Sequence, residues 1–254
     1  MSPEPLALPG YYGKLPARGD FVTRNLPASF IGTWDGWLQD AITQSRLQLR
    51  ERWLDCYLTS PSWRFLLSAG IGGASAFAGV MIPSVDRVGR YFPLAVATAL
   101  EQNLNPLDLL TRGQPWFEQA EAVVLDALDD RLDLEAFAGR VQALGLPPTV
   151  TLRAGLSTAG AGNGWYCPLD KLENLGNIQS ALVCHLMASR FPHCSLWWSH
   201  GSERIAPCLS ICSGLPPPAH YAAFLAGQWS QWGWTEQSLN CTHSATAQPF
   251  EETK

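Results

Sequence analysis

Two short segments near the start of the chain combine aspartate with arginine at close spacing. Each segment places one carboxylate within four residues of two guanidinium groups. The residues are Arg18, Asp20, Arg24, Asp86, Arg87 and Arg90. Neighbouring positive charges lower the pKa of a carboxyl, which makes it a poor proton donor near neutral pH. The pattern therefore indicates ion pairs that fix loops or recognise a partner, and we predict no catalytic residue.

Cysteines and histidines in the last quarter of the chain are the second group with possible chemistry. They are His193, Cys194, His200, Cys208 and Cys212. A strand through this region would place Cys208 and Cys212 about 13 Å apart, too far for both to bind one zinc ion at ~2.3 Å each. Buried, reduced thiols are the favoured interpretation. We predict no metal and no cofactor, and a small metal-dependent hydrolase or phosphatase-like enzyme is the alternative.

Motifs of nucleotide and acyl chemistry are incomplete. The sequence around Lys14 lacks the rest of a P-loop, and the GAGNG stretch at 160–164 lacks the last glycine of a dinucleotide-binding fingerprint. Ser75 does not stand in the GxSxG context of a hydrolase nucleophile. The sequence therefore favours a protein that is not an enzyme.

Composition narrows the class of protein. Hydrophobic residues make up 46% of the 254 residues and charged residues 15%, which predicts a large core. We expect a single α/β domain over 8–235 and a polar tail over 236–254. The net charge of −5 argues against duplex DNA as a partner. None of the seven cysteines forms a CxxC pair, and the first residues lack a signal-peptide pattern, so we predict a cytoplasmic protein.

A long uncharged stretch, Phe65 to Val85, raises the question of a membrane span. Glycines, serines and Pro83 interrupt it, which is typical of buried strands joined by a loop. We therefore predict no membrane insertion.

Hydrophobic spacing predicts helices and strands in alternating blocks. Helices are expected from Ala28, over Trp53–Leu58, from Pro115, after an N-cap at Asp133, from Ile178 to Ser189, and from Pro218 through Trp229. Strands are expected over Trp63–Leu67, Phe77–Ile82, Leu94–Leu100, Ser195–Ser199 and Ile205–Ile211, and a long Gly-rich loop over 154–177. Strands that are apolar on both faces favour a three-layer α/β/α sandwich, with a mixed sheet because of the final hairpin.

Five motifs in the first part of the chain resemble those of the TagF family, whose members are associated with type VI secretion. They are Gly13-Lys14-Leu15-Pro16, Gly19-Asp20-Phe21, Trp34-Asp35-x-Trp37-Leu38, Trp63-Arg64-Phe65 and the stretch PSVDRVGRYFP at 83–93. The resemblance is strongest over 10–100. It implies a post-translational repressor of type VI secretion that acts with or against a forkhead-associated (FHA) scaffold protein. It also implies a stand-alone form without the phosphatase domain that some relatives carry, and no catalysis.

The predicted partner-binding surface combines these motifs with the charged segments. It consists of Lys14, Arg18, Asp20, Arg24, Trp34, Asp35, Asp86, Arg87 and Arg90. Arginine and tryptophan are enriched among residues that dominate interface energies. Two alternatives stay open at this point: the motifs serve folding alone, or the arginines bind a phosphothreonine, since guanidinium groups suit phosphate.

Overall fold

One antiparallel sheet organises the residues that the computed structural model describes, which are 8–100, 105, 107–148, 171 and 175–237. Its strands are β1 (Gly10–Gly13), β2 (Val22–Arg24), β3 (Trp63–Leu67), β4 (Phe77–Ile82), β5 (Leu94–Ala99), β6 (Cys194–Ser199) and β7 (Cys208–Ser213). Their order across the sheet is β2-β1-β5-β4-β3-β6-β7. Each neighbouring pair is antiparallel.

The α/β class is confirmed, and the mixed sheet is wrong. Strands β3, β4 and β5 follow one another along the chain and are joined directly by loops, a connection that antiparallel neighbours permit and parallel neighbours do not. Apolar residues on both faces of a strand therefore indicated helical cover, but they did not indicate strand direction. The arrangement as a complete three-layer sandwich stays a prediction.

Helices pack against both faces of the sheet. They are α1 (Ala28–Leu49), α2 (Trp53–Leu58), α3 (Asp108–Arg112), α4 (Gln114–Asp126), α5 (Leu134–Ala143), α6 (Leu175–Arg190) and α7 (Ala222–Ala226). Short 3₁₀ turns occupy Arg50–Arg52, Pro218–His220 and Trp229–Trp232. Helices α1, α2 and α7 bury their apolar residues on one face, and α4 and α5 bury theirs on the other.

The first face carries an aromatic core built around Trp34 of α1. The ring centroid of Trp34 lies 4.7 Å from that of Phe65 on β3 and 5.8 Å from that of Trp197 on β6. Trp37 completes the cluster at 5.2 Å from Trp34 and donates its indole N–H to the carbonyl of Pro216 at 2.7 Å. Burial of such rings is the largest apolar contribution that single side chains can make. The cluster fixes α1 on the sheet.

The opposite face buries a charged pair within an apolar core. Arg64 of β3 is fully buried there and donates to both carboxylate oxygens of Glu121 on α4, at 3.0 and 2.6 Å, and also to Gln114. The guanidinium group lies 5.9 Å from the centroid of Phe117. A buried guanidinium requires such partners, because its desolvation costs several kcal/mol, on the order given for buried ions.

Most element boundaries agree with the spacing in the sequence. Helices begin at Ala28 and Trp53 as predicted, and Asp133 caps α5 by accepting a hydrogen bond from the backbone N–H of Glu135 at 3.2 Å. The predicted bounds of β3 and β4 are confirmed. The predicted loop at 154–177 and the tail at 236–254 lie largely outside the described residues.

Two predictions near the end of the chain are wrong. The strand expected from Ile205 begins at Cys208, because Pro207 has no N–H to pair, and Ile205 packs into the core from the loop before it. The helix expected from Pro218 is broken into short pieces. Positive φ values of 69° at Gly227 and 55° at Gln228 end α7, since a right-handed helix cannot continue through them.

Among the described residues, no helix is both long enough and apolar enough for a membrane span. The uncharged stretch from Phe65 supplies most of β3, a loop and β4.

The buried pair on the second face predicts a large effect of one substitution. Glu121→Ala leaves Arg64 buried without its main partner, and we expect the free energy of unfolding to fall by about 3–5 kcal/mol in urea denaturation. The double variant Arg64→Met/Glu121→Leu removes both charges and should recover most of that loss.

Glu118→Ala is the matched control, because Glu118 is an exposed carboxylate on the same helix. Its stability should stay within about 0.5 kcal/mol of the parent protein. Equal losses at the two positions would contradict a specific buried pair.

Candidate functional site

The charged segment from Asp86 to Arg90 forms a tight turn in the loop between β4 and β5. The backbone N–H of Gly89 donates to the carbonyl of Asp86 at 2.9 Å, and that of Asp86 donates to the carbonyl of Arg90 at 3.0 Å. An isolated bridge between Val85 and Tyr91 closes the base of the turn. Gly89 has a φ of 84°, in the left-handed region that favours glycine. The turn therefore has one defined backbone path.

The carboxylate of Asp86 holds this turn together and joins it to the first charged segment. Its Oδ1 accepts from the backbone N–H groups of Val88 at 3.0 Å and of Arg90 at 2.8 Å. Its Oδ2 accepts from Lys14 Nζ at 2.8 Å and from Arg90 Nε at 2.6 Å. The side chain of Asp86 is 0% exposed and that of Lys14 is 6% exposed. The pair is a buried ion pair between residues far apart in the sequence.

These contacts fix the protonation state of Asp86. Burial of the carboxyl raises its pKa, but hydrogen bonds from Lys14, from Arg90 and from the backbone N–H of Val88 outweigh that effect. The pKa of Asp86 therefore lies well below the usual range of an aspartate. Asp86 is a permanent anion at neutral pH and has no proton to donate in catalysis.

Three further hydrogen bonds lock the two charged loops to each other. Ser84 Oγ donates to the carbonyl of Lys14 at 2.7 Å, and the backbone N–H of Arg87 donates to the carbonyl of Arg18 at 2.9 Å. The guanidinium group of Arg90 donates to the carbonyl of Gly19. The two charged segments therefore lie together, joined through Lys14, Arg90 and backbone groups, and Asp86 pairs with Arg90, one of the two arginines predicted beside it.

Two arginines on the locked loops point their charges into solvent. Arg18 and Arg87 are exposed, and within the described part of the chain neither side chain makes a hydrogen bond or ion pair. Asp20 is fully exposed at 3.7 Å from Arg90, and Val88 is 65% exposed. We call the surface formed by Arg18, Asp20, Arg87 and Val88 the arginine face.

The other predicted residues lie elsewhere. Arg24, the last residue of β2, makes a bidentate contact with Glu135 of α5 at 3.0 and 3.3 Å. Asp35 accepts hydrogen bonds from the hydroxyl of Tyr12 at 2.7 Å and from Gln39 at 2.6 Å. The guanidinium group of Arg24 and the carboxylate of Asp35 therefore pair with other side chains of the folded chain.

Three predicted partner contacts are corrected by burial. Trp34 is 1% exposed in the aromatic core, Lys14 is 5% exposed and Asp86 is 3% exposed. A partner that docks on the surface does not reach these side chains, so they support the site from below. The sequence analysis grouped Trp34, Lys14 and Asp86 with the surface arginines because buried and exposed residues occur in the same motifs.

Tyr57 is a supporting residue that sequence reasoning missed. Its hydroxyl donates to the carbonyl of Ser84 at 2.8 Å and accepts from the backbone N–H of Ser84 at 3.0 Å. Its burial raises its pKa well above the ordinary value, so the hydroxyl keeps its proton. Tyr57 lies within the helix predicted over Trp53–Leu58, but nothing in the sequence indicated that its hydroxyl would anchor the turn.

The late cysteines do not assemble into one site. Cys194 packs against the core on the α4 face, whereas Cys208 packs against the core on the α1 face. Burial raises the pKa of both Cys208 and Cys212 to about 11, which keeps these thiols protonated at neutral pH. In the described ranges, no three His, Cys, Asp or Glu side chains are grouped so that they could hold a metal ion.

The anchoring role of Asp86 predicts a loss of stability on substitution. Asp86→Asn leaves Lys14 buried without a countercharge, and we expect a loss of about 3–5 kcal/mol at neutral pH in urea denaturation. Asp20→Asn, at a fully exposed side chain, is the control and should change stability by less than about 0.5 kcal/mol.

The low pKa of Asp86 predicts how this difference depends on pH. An unfolded aspartate titrates at about 3.9, above the folded value, so the unfolded chain binds the proton first. The stabilisation by Asp86 is therefore complete above about pH 5 and is lost as the pH falls toward the folded pKa. The stability gap between the parent protein and Asp86→Asn should narrow below about pH 4. A gap that stays constant from pH 7 to pH 3 would contradict this account.

Comparisons with known proteins agree with the motifs that surround the site. Residues 10–144 match the family described as the TagF N-terminal domain, type VI secretion system-associated. The crystal structure of PA0076 from Pseudomonas aeruginosa PAO1 is similar, with 36% sequence identity and a TM-score of 0.77 over 92% of this chain and 99% of that one. Among curated proteins, none matches the chain. The matched family spans more than half of the sequence and both charged loops, and the chain belongs to the TagF family of proteins associated with type VI secretion.

Proposed function

We propose that this chain restrains type VI secretion after translation by binding a component of the secretion machinery through the arginine face. The observation that carries the proposal is the pair of exposed guanidinium groups, Arg18 and Arg87, held on loops that a buried ion pair locks together. Family membership supports a partner within the secretion system.

The rigidity of the loops favours binding. Ordering a flexible loop at an interface costs about 0.5–1.5 kcal/mol per side chain that is immobilised. Here the backbone bond between Arg87 and Arg18 and the contacts of Asp86 have already fixed the loops. Binding therefore has to order only the two arginine side chains, and their charges meet no internal competitor in the described residues.

An FHA-domain scaffold protein is the partner that we propose to test first. The proposal places the encounter in the cytoplasm and requires no turnover by this chain. The low pKa of Asp86 supports contact rather than acid–base catalysis. The separation of Cys194 and Cys208 on opposite faces of the sheet leaves a metal-dependent hydrolase or phosphatase-like activity with less support.

Phosphothreonine recognition is a second candidate that the exposed arginines favour, because guanidinium groups bind phosphate well. The backbone of the turn argues against it. The amide groups of Asp86, Val88, Gly89 and Arg90 all donate within the turn, so they offer a phosphate no further hydrogen bonds. Phosphate sites commonly use such free backbone amides.

A double charge reversal tests the arginine face without disturbing its support. Arg18→Glu/Arg87→Glu leaves Lys14, Asp86 and Arg90 unchanged, so we expect the variant to fold with an unaltered circular dichroism spectrum. Binding to the FHA-domain protein, measured by isothermal titration calorimetry, should weaken at least about tenfold. Secretion in cells that carry the variant should rise to the level of a strain without the protein.

The matched control reverses two exposed arginines on other elements, Arg131 between α4 and α5 and Arg190 at the end of α6. Arg131→Glu/Arg190→Glu makes the same change in net charge and should repress secretion normally. If the folded Arg18→Glu/Arg87→Glu protein also represses normally, the arginine face is not the docking surface.

A further inference from the structure

A groove lies beside the arginine face, between the exposed side of α1 and the segment that follows the turn. Helix α1 contributes Gln39, Thr43 and Arg46, and the other wall contains Gly89, Arg90 and Tyr91. The groove has a volume of about 510 Å³, at the lower end of the range of ligand-sized clefts. It is large enough for a few side chains.

The charge of the groove is positive. Arg46 and Arg90 lie along it, and among the residues that the structure describes no aspartate or glutamate lines it. The buried carboxylate of Asp86 lies behind Arg90 and pairs with both Lys14 and the Nε of Arg90, and the exposed Asp20 lies 3.7 Å from Arg90. These two carboxylates offset part of the charge of Arg90. Arg46 is therefore the stronger attraction for an anionic occupant, and Arg90 adds the N–H donors that Asp86 and Gly19 leave free.

Arg46 is held in place without being neutralised. Its guanidinium carbon lies 4.1 Å from the ring centroid of Trp53, whose indole N–H donates to Ser45 Oγ at 2.9 Å. Stacking of this kind fixes the plane of a guanidinium group and leaves the N–H donors at its edge available. Within the described part of the chain Arg46 forms no ion pair.

The donors in the groove suit carboxylates spread along a segment better than one compact phosphate. The turn amides are consumed internally, as described above, and Arg90 already donates to Asp86 and Gly19. Arg46 and Arg90 stand on opposite walls, so each can pair with a different side chain. From Gln39 to Arg46 the helical wall extends about 10 Å, which matches about three extended residues.

We infer that this groove binds a short acidic segment of the partner protein, with one carboxylate on Arg46 and another on Arg90. The inference rests on the proposed function and adds the chemistry of the partner to it. The arginine face and the groove adjoin at Gly89 and Arg90, so one partner can cover both.

Nuclear magnetic resonance of the full chain tests the groove directly, with the peptide hexaglutamate as the probe and hexaglutamine as its uncharged control. At low salt, hexaglutamate should shift the indole N–H of Trp53 and the backbone amides of Gly89 and Tyr91. Hexaglutamine should leave these resonances unchanged. Failure of hexaglutamate to shift them, or equal shifts with hexaglutamine, would overturn the inference.

Two neighbouring substitutions on α1 provide the matched variants. Thr43→Glu places a carboxylate on the wall of the groove and should weaken hexaglutamate binding at least about fivefold. Gln44→Glu adds the same charge at an exposed position that does not line the groove and should change binding less than twofold, roughly the scale of a screened surface charge. Equal effects of both variants would show a diffuse charge response and no site.

The outcome also separates this inference from the proposed function. If Arg18→Glu/Arg87→Glu represses normally but hexaglutamate still binds the groove and Thr43→Glu blocks it, the groove stands and the arginine face fails. If Thr43→Glu represses normally and binds hexaglutamate as the parent does, the groove fails while the arginine face stands.

Discussion

A buried carboxylate must be neutralised where it lies, and this requirement at Asp86 shapes the whole candidate site. Removing an anion from water costs several kcal/mol even after the protein relaxes. Asp86 meets that cost with four donors, of which two are backbone amides of its own turn and one is Lys14, just after β1. The turn can therefore neither unfold locally nor move away from the first loop without exposing an unpaired charge. The contacts of Asp86 join the two loops that carry Arg18 and Arg87. They therefore determine the geometry of the arginine face.

Helix α1 connects this site to the core. On one side, Trp34 and Trp37 pack among the aromatic rings over the sheet, which fixes the rotation of the helix about its axis. The opposite side then presents Thr43 and Arg46 to the groove. Asp35, between the two sides, accepts a hydrogen bond from Tyr12 on β1. Core packing thus determines which polar residues of α1 are exposed along the groove.

The sequence predicted local structure well because local structure follows from periodicity. Helical spacing gave the start of α1, and apolar runs gave β3 and β4 with their bounds. Pairing over long distances left no such signal. The bond between Lys14 and Asp86 joins residues 72 positions apart, whereas the Asp86–Arg90 pair lies within the close spacing that the sequence showed. Strand direction was equally invisible, because an antiparallel strand covered on both faces has the same apolar pattern as a parallel one. The family motifs include both charged loops, but they could not separate buried support such as Trp34 from exposed arginines.

The charge distribution is compatible with the acidic partner segment proposed above. The chain carries a net charge of −5, which on its own would repel such a segment. At physiological ionic strength, however, charges farther apart than about 8 Å are largely screened. A segment in the groove therefore responds to Arg46 and Arg90 at contact distance and only weakly to the carboxylates elsewhere on the surface. Negative charge on the rest of the surface disfavours acidic proteins that approach elsewhere. The charge distribution therefore contributes specificity more than affinity. The buried carboxylate of Asp86 has a second effect. It keeps Lys14 buried and fixes Arg90 at the edge of the groove, so it determines which positive charges are exposed there.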